Sequence, residues 1–351
     1  MKKGVFFILL LFWGWKAWTL EIRREEEEGR EKNPLSLDRV WNIEVKDTFT
    51  LSFNFPLSKY HFRRIPCELE EPFLSQREFH PSLRKPLEIG VIHPFRLGLL
   101  GTATLGTGLV LNDYYESIWW EGKPQKFHFK NDFGTLRFSD KLGHAYIGLL
   151  ITELYTPLFR WSCMSPGNAR WGGVATSLLH QILFVEYQDG FAEWGFSLSD
   201  VSADLVGAFY PLLQDRSPLL DHFDWKWSYH PSLHSWGDYL NWNTLLNDLY
   251  DNAFHMDYNG MTFWLTGELH PLLPPWPEFL NLALGYGTEG MDINKGGSGS
   301  SEIFLSLDYA IEKLRGEGKV WKGAKSILKI LHLPAPAIRI TPDAKFYLFY
   351  F

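Results

Sequence analysis

The sequence predicts an α+β protein: a central compact helical bundle followed by an antiparallel, β-rich C-terminal region. Three observations carry this expectation. Four apolar stretches between Leu97 and Leu213 have the length and small-residue content of packed helices, and beyond about Asp221 the hydrophobic period shifts towards two. Ionised side chains also recur inside the apolar central stretches at helical spacing, where isolated charges are costly and must find partners in the fold.

The composition supports a folded core. The chain has 351 residues, of which 45% are hydrophobic and 17% aromatic, with 16 Trp. Aromatic side chains in such numbers gather in cores, clefts and membrane interfaces. A net charge of -7 without a basic stripe gives no electrostatic footprint for nucleic acid, so that partner class is set aside.

Taken in order, residues 1–20 read as a signal peptide or anchor. Lys2-Lys3 precede an apolar run from Gly4 to Trp15, shorter than the roughly 20 residues a spanning helix needs. Cleavage near Ala17-Trp18-Thr19 or retention as an anchor both fit. No cysteine follows the run, so a lipoprotein signal is not expected. Residues 21–86 form a linker and N-terminal strand region: Glu25 to Glu28 is a solvated acidic run, and Thr48 to Phe55 alternates as a half-buried strand that Pro56 ends.

Residues 87–220 form the bundle. Leu97 to Leu111 carries Gly98, Gly101, Gly106 and Gly108, which predict close helix packing. Gly143 to Phe159, Trp171 to Tyr187 and Val201 to Leu213 follow, each short for a membrane span and better suited to a bundle. Trp119, Trp120, Trp161 and Trp171 fall near segment ends, so a bundle sunk partly into a bilayer stays open.

Residues 221–351 are the β-rich region. Met261 to Leu269, Phe279 to Thr288, Glu302 to Leu307 and Ala337 to Ile340 read as strands. Gly296 to Ser300 is a loop without the pattern of a phosphate cradle. The closing run Lys345 to Phe351 is similar both to the terminal aromatic strand of outer-membrane β-barrels and to a buried final sheet strand. Cys67 and Cys163 have neither metal-ligand nor redox spacing, and one disulfide or two unpaired thiols fit equally.

The candidate site is a polar cluster of Asp140, Lys141, His144, Glu186, Asp189, Asp200 and Asp204. Asp140 opens a helix, as an N-cap or as a site residue, and His144 lies one turn further on. Glu186 and Asp189 stand near the helix stop at Gly190, where the helix dipole disfavours acidic groups and a counter-charge is needed. Asp200 and Asp204 are one turn apart among Val201, Ala203, Leu205 and Val206, so one is protonated or a cation sits beside both. Lys141 is the favoured cation. A divalent metal is the alternative, with carboxylates suiting Mg²⁺ or Ca²⁺ and an added imidazole admitting Zn²⁺ or Mn²⁺. In a third reading, Ser199 or Asp200 only caps the helix. The residues leave the cofactor and the metal unknown.

The order Asp140-Lys141-x-x-His144, Glu186-x-x-Asp189-Gly190, then Trp194-Gly195-Phe196-Ser197-x-x-Asp200-x-x-x-Asp204-x-x-Gly207 resembles the YfiM-like periplasmic lipoproteins, a domain family of unknown function. Asp257 to Leu265, Leu282 to Met291 and Leu333 to Ile338 resemble the long, envelope-associated members, and the first motif is more distantly similar to VanZ-like membrane proteins. Asp204 stands where the resemblance expects asparagine, which adds charge to the cluster. The resemblance implies an exported envelope protein, periplasmic or outer-membrane, with membrane or envelope components as partners; it supplies no reaction. The expected function is therefore an envelope-associated protein whose cluster binds a polar ligand or metal. Two alternatives stand beside it: a hydrolase or transferase acting on an envelope lipid or glycan phosphate, with His144 as acid/base, and a structural envelope protein. The sequence does not decide whether the chain is an enzyme, and no Gly-x-Ser-x-Gly nucleophile motif is present.

Overall fold

The computed structural model describes residues 41–45, 49–53, 92–120, 124–230, 232, 257–291, 299–316 and 318–351. The signal run, the acidic linker and Cys67 lie outside these residues. The chain divides into two compact units, 1–64 with 84–89, and 65–83 with 90–351. In the first, the described element is an antiparallel hairpin of β1 (Trp41–Val45) and β2 (Phe49–Phe53), with Ile43 opposite Leu51. All elements below belong to the second unit.

Helix α1 (Pro94–Ile118) has 25 residues and starts with Pro94 in its first turn, behind His93, whose ring accepts from Arg96 N at 3.4 Å. Two expectations for this stretch are corrected. The helix is much longer than Leu97 to Leu111, and Pro94–Glu116 is long and apolar enough to cross a membrane. Its four glycines also meet nothing within 4 Å among the described residues, so they mediate no close packing there.

Close packing occurs instead between α2 (Ser139–Trp161), α3 (Pro166–Leu178) and α4 (Leu198–Gln214). A Cβ at Gly148 would stand 2.9 Å from the Asp204 carbonyl, and one at Gly207 would collide with the Ala145 carbonyl, so α2 and α4 touch backbone to backbone. A hydroxyl from α3 ties the same spot, Ser177 Oγ donating to Gly148 O at 2.9 Å. Arg170 locks the far end by pairing with Glu153 and Asp215, both at 2.7 Å. Beyond Leu178, α3 continues as a π-helix (Leu179–Glu186) and a last α turn (Tyr187–Asp189) before Gly190.

The C-terminal strands form one six-stranded antiparallel meander in chain order: β3 (Phe223–Tyr229), β4 (Met261–Glu268), β5 (Leu280–Glu289), β6 (Ser300–Tyr309), β7 (Ala335–Thr341) and β8 (Lys345–Tyr350). Helix α5 (Lys319–Leu328) links β6 to β7. The α+β class and the helices-then-sheet order are as the sequence predicts. β3 and α5 were not expected.

The sheet is curled. Lys226 on β3 reaches Asp308 on β6 at 2.6 Å, although β4 and β5 lie between them, and His332 bonds the same carboxylate at 3.0 Å. The concave side is filled by this trio, by Trp264 stacked 3.9 Å over His332, and by Phe304. The register places Gly285 opposite Trp264, where a Cβ would stand 2.6 Å from the indole. On the convex side the aromatic residues of β3 and β4 meet the helices: Tyr146 faces Trp227 and Phe263, and Tyr210 faces Trp225. The helical bundle is thereby seated on one end of the sheet.

Candidate functional site

Helix α2 supplies Asp140, Lys141 and His144, the π segment Glu186, and α4 Asp200 and Asp204. The Gly148 and Gly207 contact brings the two helices close enough for His144 Nδ1 to reach Asp204 Oδ1 at 3.0 Å. A π-helix turns more slowly than an α-helix, so this segment resets the phase at which Glu186 leaves the α3 axis. Glu186 ends up fully buried, its Oε1 3.8 Å from His144 Nδ1.

The cluster has two halves. In the first, Lys141 Nζ lies 2.8 Å from Asp132, 2.8 Å from Asp140 and 2.6 Å from Asp200. Ser197 and Ser199 donate to Asp132 at 2.6 and 2.7 Å, and the Tyr258 hydroxyl donates to Asp140 at 3.1 Å. This half supplies its own cation and donors. In the second half, His144 Nδ1 faces Asp204 and Glu186, and the Ser197 amide donates to Glu186 Oε2 at 3.2 Å. Glu186 Oε1 and Asp204 Oδ2 are buried without a hydrogen-bond partner. His144, 18% exposed at its side chain, is the most open of this trio.

Charge and burial compete here. Burial pushes the Asp132 carboxyl up, yet the bonds from Lys141, Ser197 and Ser199 outweigh it and hold the group well below the ordinary carboxylate range. Lys141 is held above its usual value because its carboxylate neighbours overcome desolvation. His144 is likewise raised well above an ordinary imidazole: burial opposes its charge, but Asp204, Asp140 and Asp200 favour it more. Burial raises Glu186 to about 9 and Asp200 to about 6, and lifts Asp204 as well. Without a further cation, the second half therefore retains protons at neutral pH.

Six of the seven residues read from the sequence come together. The carboxylate of Asp189 accepts from Trp120 Nε1 at 2.6 Å instead, and burial raises it to about 7. The capping readings are corrected: Asp140 sits inside the first turn of α2 behind Phe138, and the side chain that caps α4 is Ser197. Lys141 pairs with Asp200, whereas the bonded partner of Asp204 is His144, so one lysine does not serve both aspartates. Asp132 and Tyr258 were missed. Asp132 precedes Gly134 in an irregular connection that gives no periodic signal, and Tyr258 lies in the Asp257 to Leu265 motif, read only for its family resemblance. Cys163 is disulfide-bonded, which removes the unpaired-thiol reading for that residue.

Two ligand sets have donor atoms within 4.8 Å of one another: Asp140, His144 and Asp200, and His144, Glu186 and Asp204. The first set shares its aspartates with Lys141. The second has imidazole nitrogen and two carboxylates with oxygens to spare, a donor set that fits a divalent transition metal.

Residues 129–215 match the model of a family described as a predicted periplasmic lipoprotein (DUF2279). The match spans every cluster residue except Tyr258 and covers about a quarter of the chain. No curated protein and no solved structure matches the chain. The similarity supports an exported protein of the cell envelope, and the Cys163 disulfide agrees with an oxidising compartment.

Proposed function

We propose that this is an envelope-associated protein whose helical core binds one divalent transition-metal ion through His144, Glu186 and Asp204. One observation carries the reading: Glu186 Oε1 and Asp204 Oδ2 are buried without hydrogen-bond partners, and both carboxylates approach the same ring nitrogen, His144 Nδ1. Buried acceptors left unpaired cost free energy, and a cation between them relieves that cost while displacing the proton from His144. Nitrogen with two carboxylates favours Zn²⁺ or Mn²⁺ over Ca²⁺. Lys141 pairs with Asp132, Asp140 and Asp200, so the adjacent half of the cluster stays compact beside the ion.

A catalytic version of this reading rests on the ligand count. Three protein donors leave a coordination position for water or substrate, as in catalytic zinc sites. A hydrolase or transferase acting on an envelope phosphate would use that position as a Lewis acid. Elemental analysis of purified full-length chain tests the binding step. About one equivalent of metal that is lost in Glu186→Gln, with the fold retained, is the expected result. A metal-free protein whose unfolding midpoint responds to neither Zn²⁺ nor Mn²⁺ would exclude it.

A further inference from the structure

The C-terminal sheet is polarised in the opposite sense to a sheet that works in water. Its concave side carries Lys226, Asp308, Glu302 and Arg339, buried and paired with one another. Its convex side over β5 to β8 is aliphatic and aromatic: Leu282, Leu284, Leu305, Ile338, Ile340 and Phe346 are each 37–63% exposed. The register makes this a continuous band, with Leu284 opposite Leu305, Leu305 opposite Ile338, and Ile338 opposite Phe346. Water-facing antiparallel sheets bury their apolar side, whereas apolar outside and polar inside is the arrangement of sheets that face lipid.

Two further features fix the occupant. At one end the band terminates at Tyr286, whose hydroxyl donates to the Arg137 carbonyl, next to the exposed ring pair of Phe133 and Phe138. Aromatic residues at the border of an apolar band are characteristic of the membrane–water interface. Helix α1 is a second uncovered apolar surface: among its described residues only Leu100 is buried. Both surfaces are exposed and apolar, and a bilayer is an occupant that suits a sheet face and a span-length helix alike without a complementary protein surface.

We propose that the convex face of β5 to β8 lies against the acyl chains of a lipid bilayer. The band carries no charged side chain among the residues named, so it offers lipid headgroups nothing and hydrocarbon everything.

Among the described residues no cysteine is free, Cys163 being disulfide-bonded, so an introduced thiol is labelled without reducing the chain. Leu284→Cys, Leu305→Cys and Ile338→Cys, each made in the full chain, would carry a polarity-sensitive fluorophore, with Gln125→Cys as a water-facing reference. Each variant is accepted only if its urea midpoint matches the unsubstituted chain. The labelled proteins are reconstituted in phosphatidylethanolamine and phosphatidylglycerol vesicles. The expected result is quenching of the three sheet labels by spin-labelled acyl chains and protection from aqueous iodide, with the reference reversed. Iodide access to the sheet labels in vesicle-bound protein would overturn the proposal, because the chain would then be anchored elsewhere. Labels reached by neither quencher would overturn it too, assigning the face to a protein surface.

Discussion

Replacing Lys141 by methionine keeps the length of the side chain and removes the one cation shared by Asp132, Asp140 and Asp200, at 2.8, 2.8 and 2.6 Å. These groups are no more than 17% exposed, so solvent screens them weakly. Breaking a buried pair by removing one partner costs about 3–5 kcal/mol, far above the 0–1 kcal/mol of a surface pair. We expect Lys141→Met to lose about 3 kcal/mol or more at pH 7.5, read from urea midpoints at constant slope. The pH dependence has a definite sign. Asp132 is depressed in the folded chain, so its contribution is present above its unfolded value near 3.8 and lost as pH falls through its lower folded value. In the variant the share of that depression due to Lys141 is lost while the bonds from Ser197 and Ser199 remain, the carboxylates around the missing cation take up protons more readily on acidification, and the deficit against the unsubstituted chain should shrink towards pH 5. A loss below about 1 kcal/mol that does not change with pH would show that Lys141 is merely a solvated charge.

Other outcomes follow from the same geometry. Gly207→Ala should destabilise by about 1–3 kcal/mol or more, because its Cβ meets the Ala145 carbonyl, whereas Gly98→Ala in open space should be neutral or slightly stabilising; thermal melts compare them directly. Metal-free protein should lose stability as pH rises from about 4.5 towards 9, since Glu186 is raised from 4.5 to about 9 and the folded chain binds the extra proton across that window; denaturant titrations at pH 5, 7 and 9 give the slope, and a rise would contradict it. The stabilisation added by Zn²⁺ should instead grow with pH, because the ion displaces protons, and should approach about 2.7 kcal/mol at 100 times its Kd.

Much of this architecture was legible because burial imposes a period. The apolar stretches near Gly143, Trp171 and Val201 became α2, α3 and α4, and alternation marked β4 to β8. β3 was also legible: Phe223, Trp225, Trp227 and Tyr229 alternate with Asp224, Lys226 and Ser228. The same holds for α5, in whose sequence a lysine recurs every third residue from Lys319 to Lys325. Other features were not readable in principle. The glycines of α1 look like those of a packed helix, and composition does not say whether a neighbour is present. Asp200 and Asp204, set among aliphatic residues, implied either a retained proton or a cation beside both, but the division of labour between Lys141 and His144 depends on how α2 and α4 cross. The Glu186 phase depends on a π segment that no simple periodicity announces. Asp132 reaches the cluster from an irregular segment in which Leu136, Arg137 and Phe138 all have positive φ, a path that local sequence preferences oppose.

Zn²⁺ titration of the purified, chelator-stripped full chain by calorimetry, beside Glu186→Gln and Asp204→Asn, reads the metal site most directly. Both substitutions preserve side-chain shape and remove only an anionic ligand. One site should appear in the unsubstituted chain, with affinity falling in each variant by more than the 10–100-fold that outer-shell changes cost. Equal Zn²⁺ affinity in all three proteins, or no binding in any, would contradict a metal centre at His144, Glu186 and Asp204.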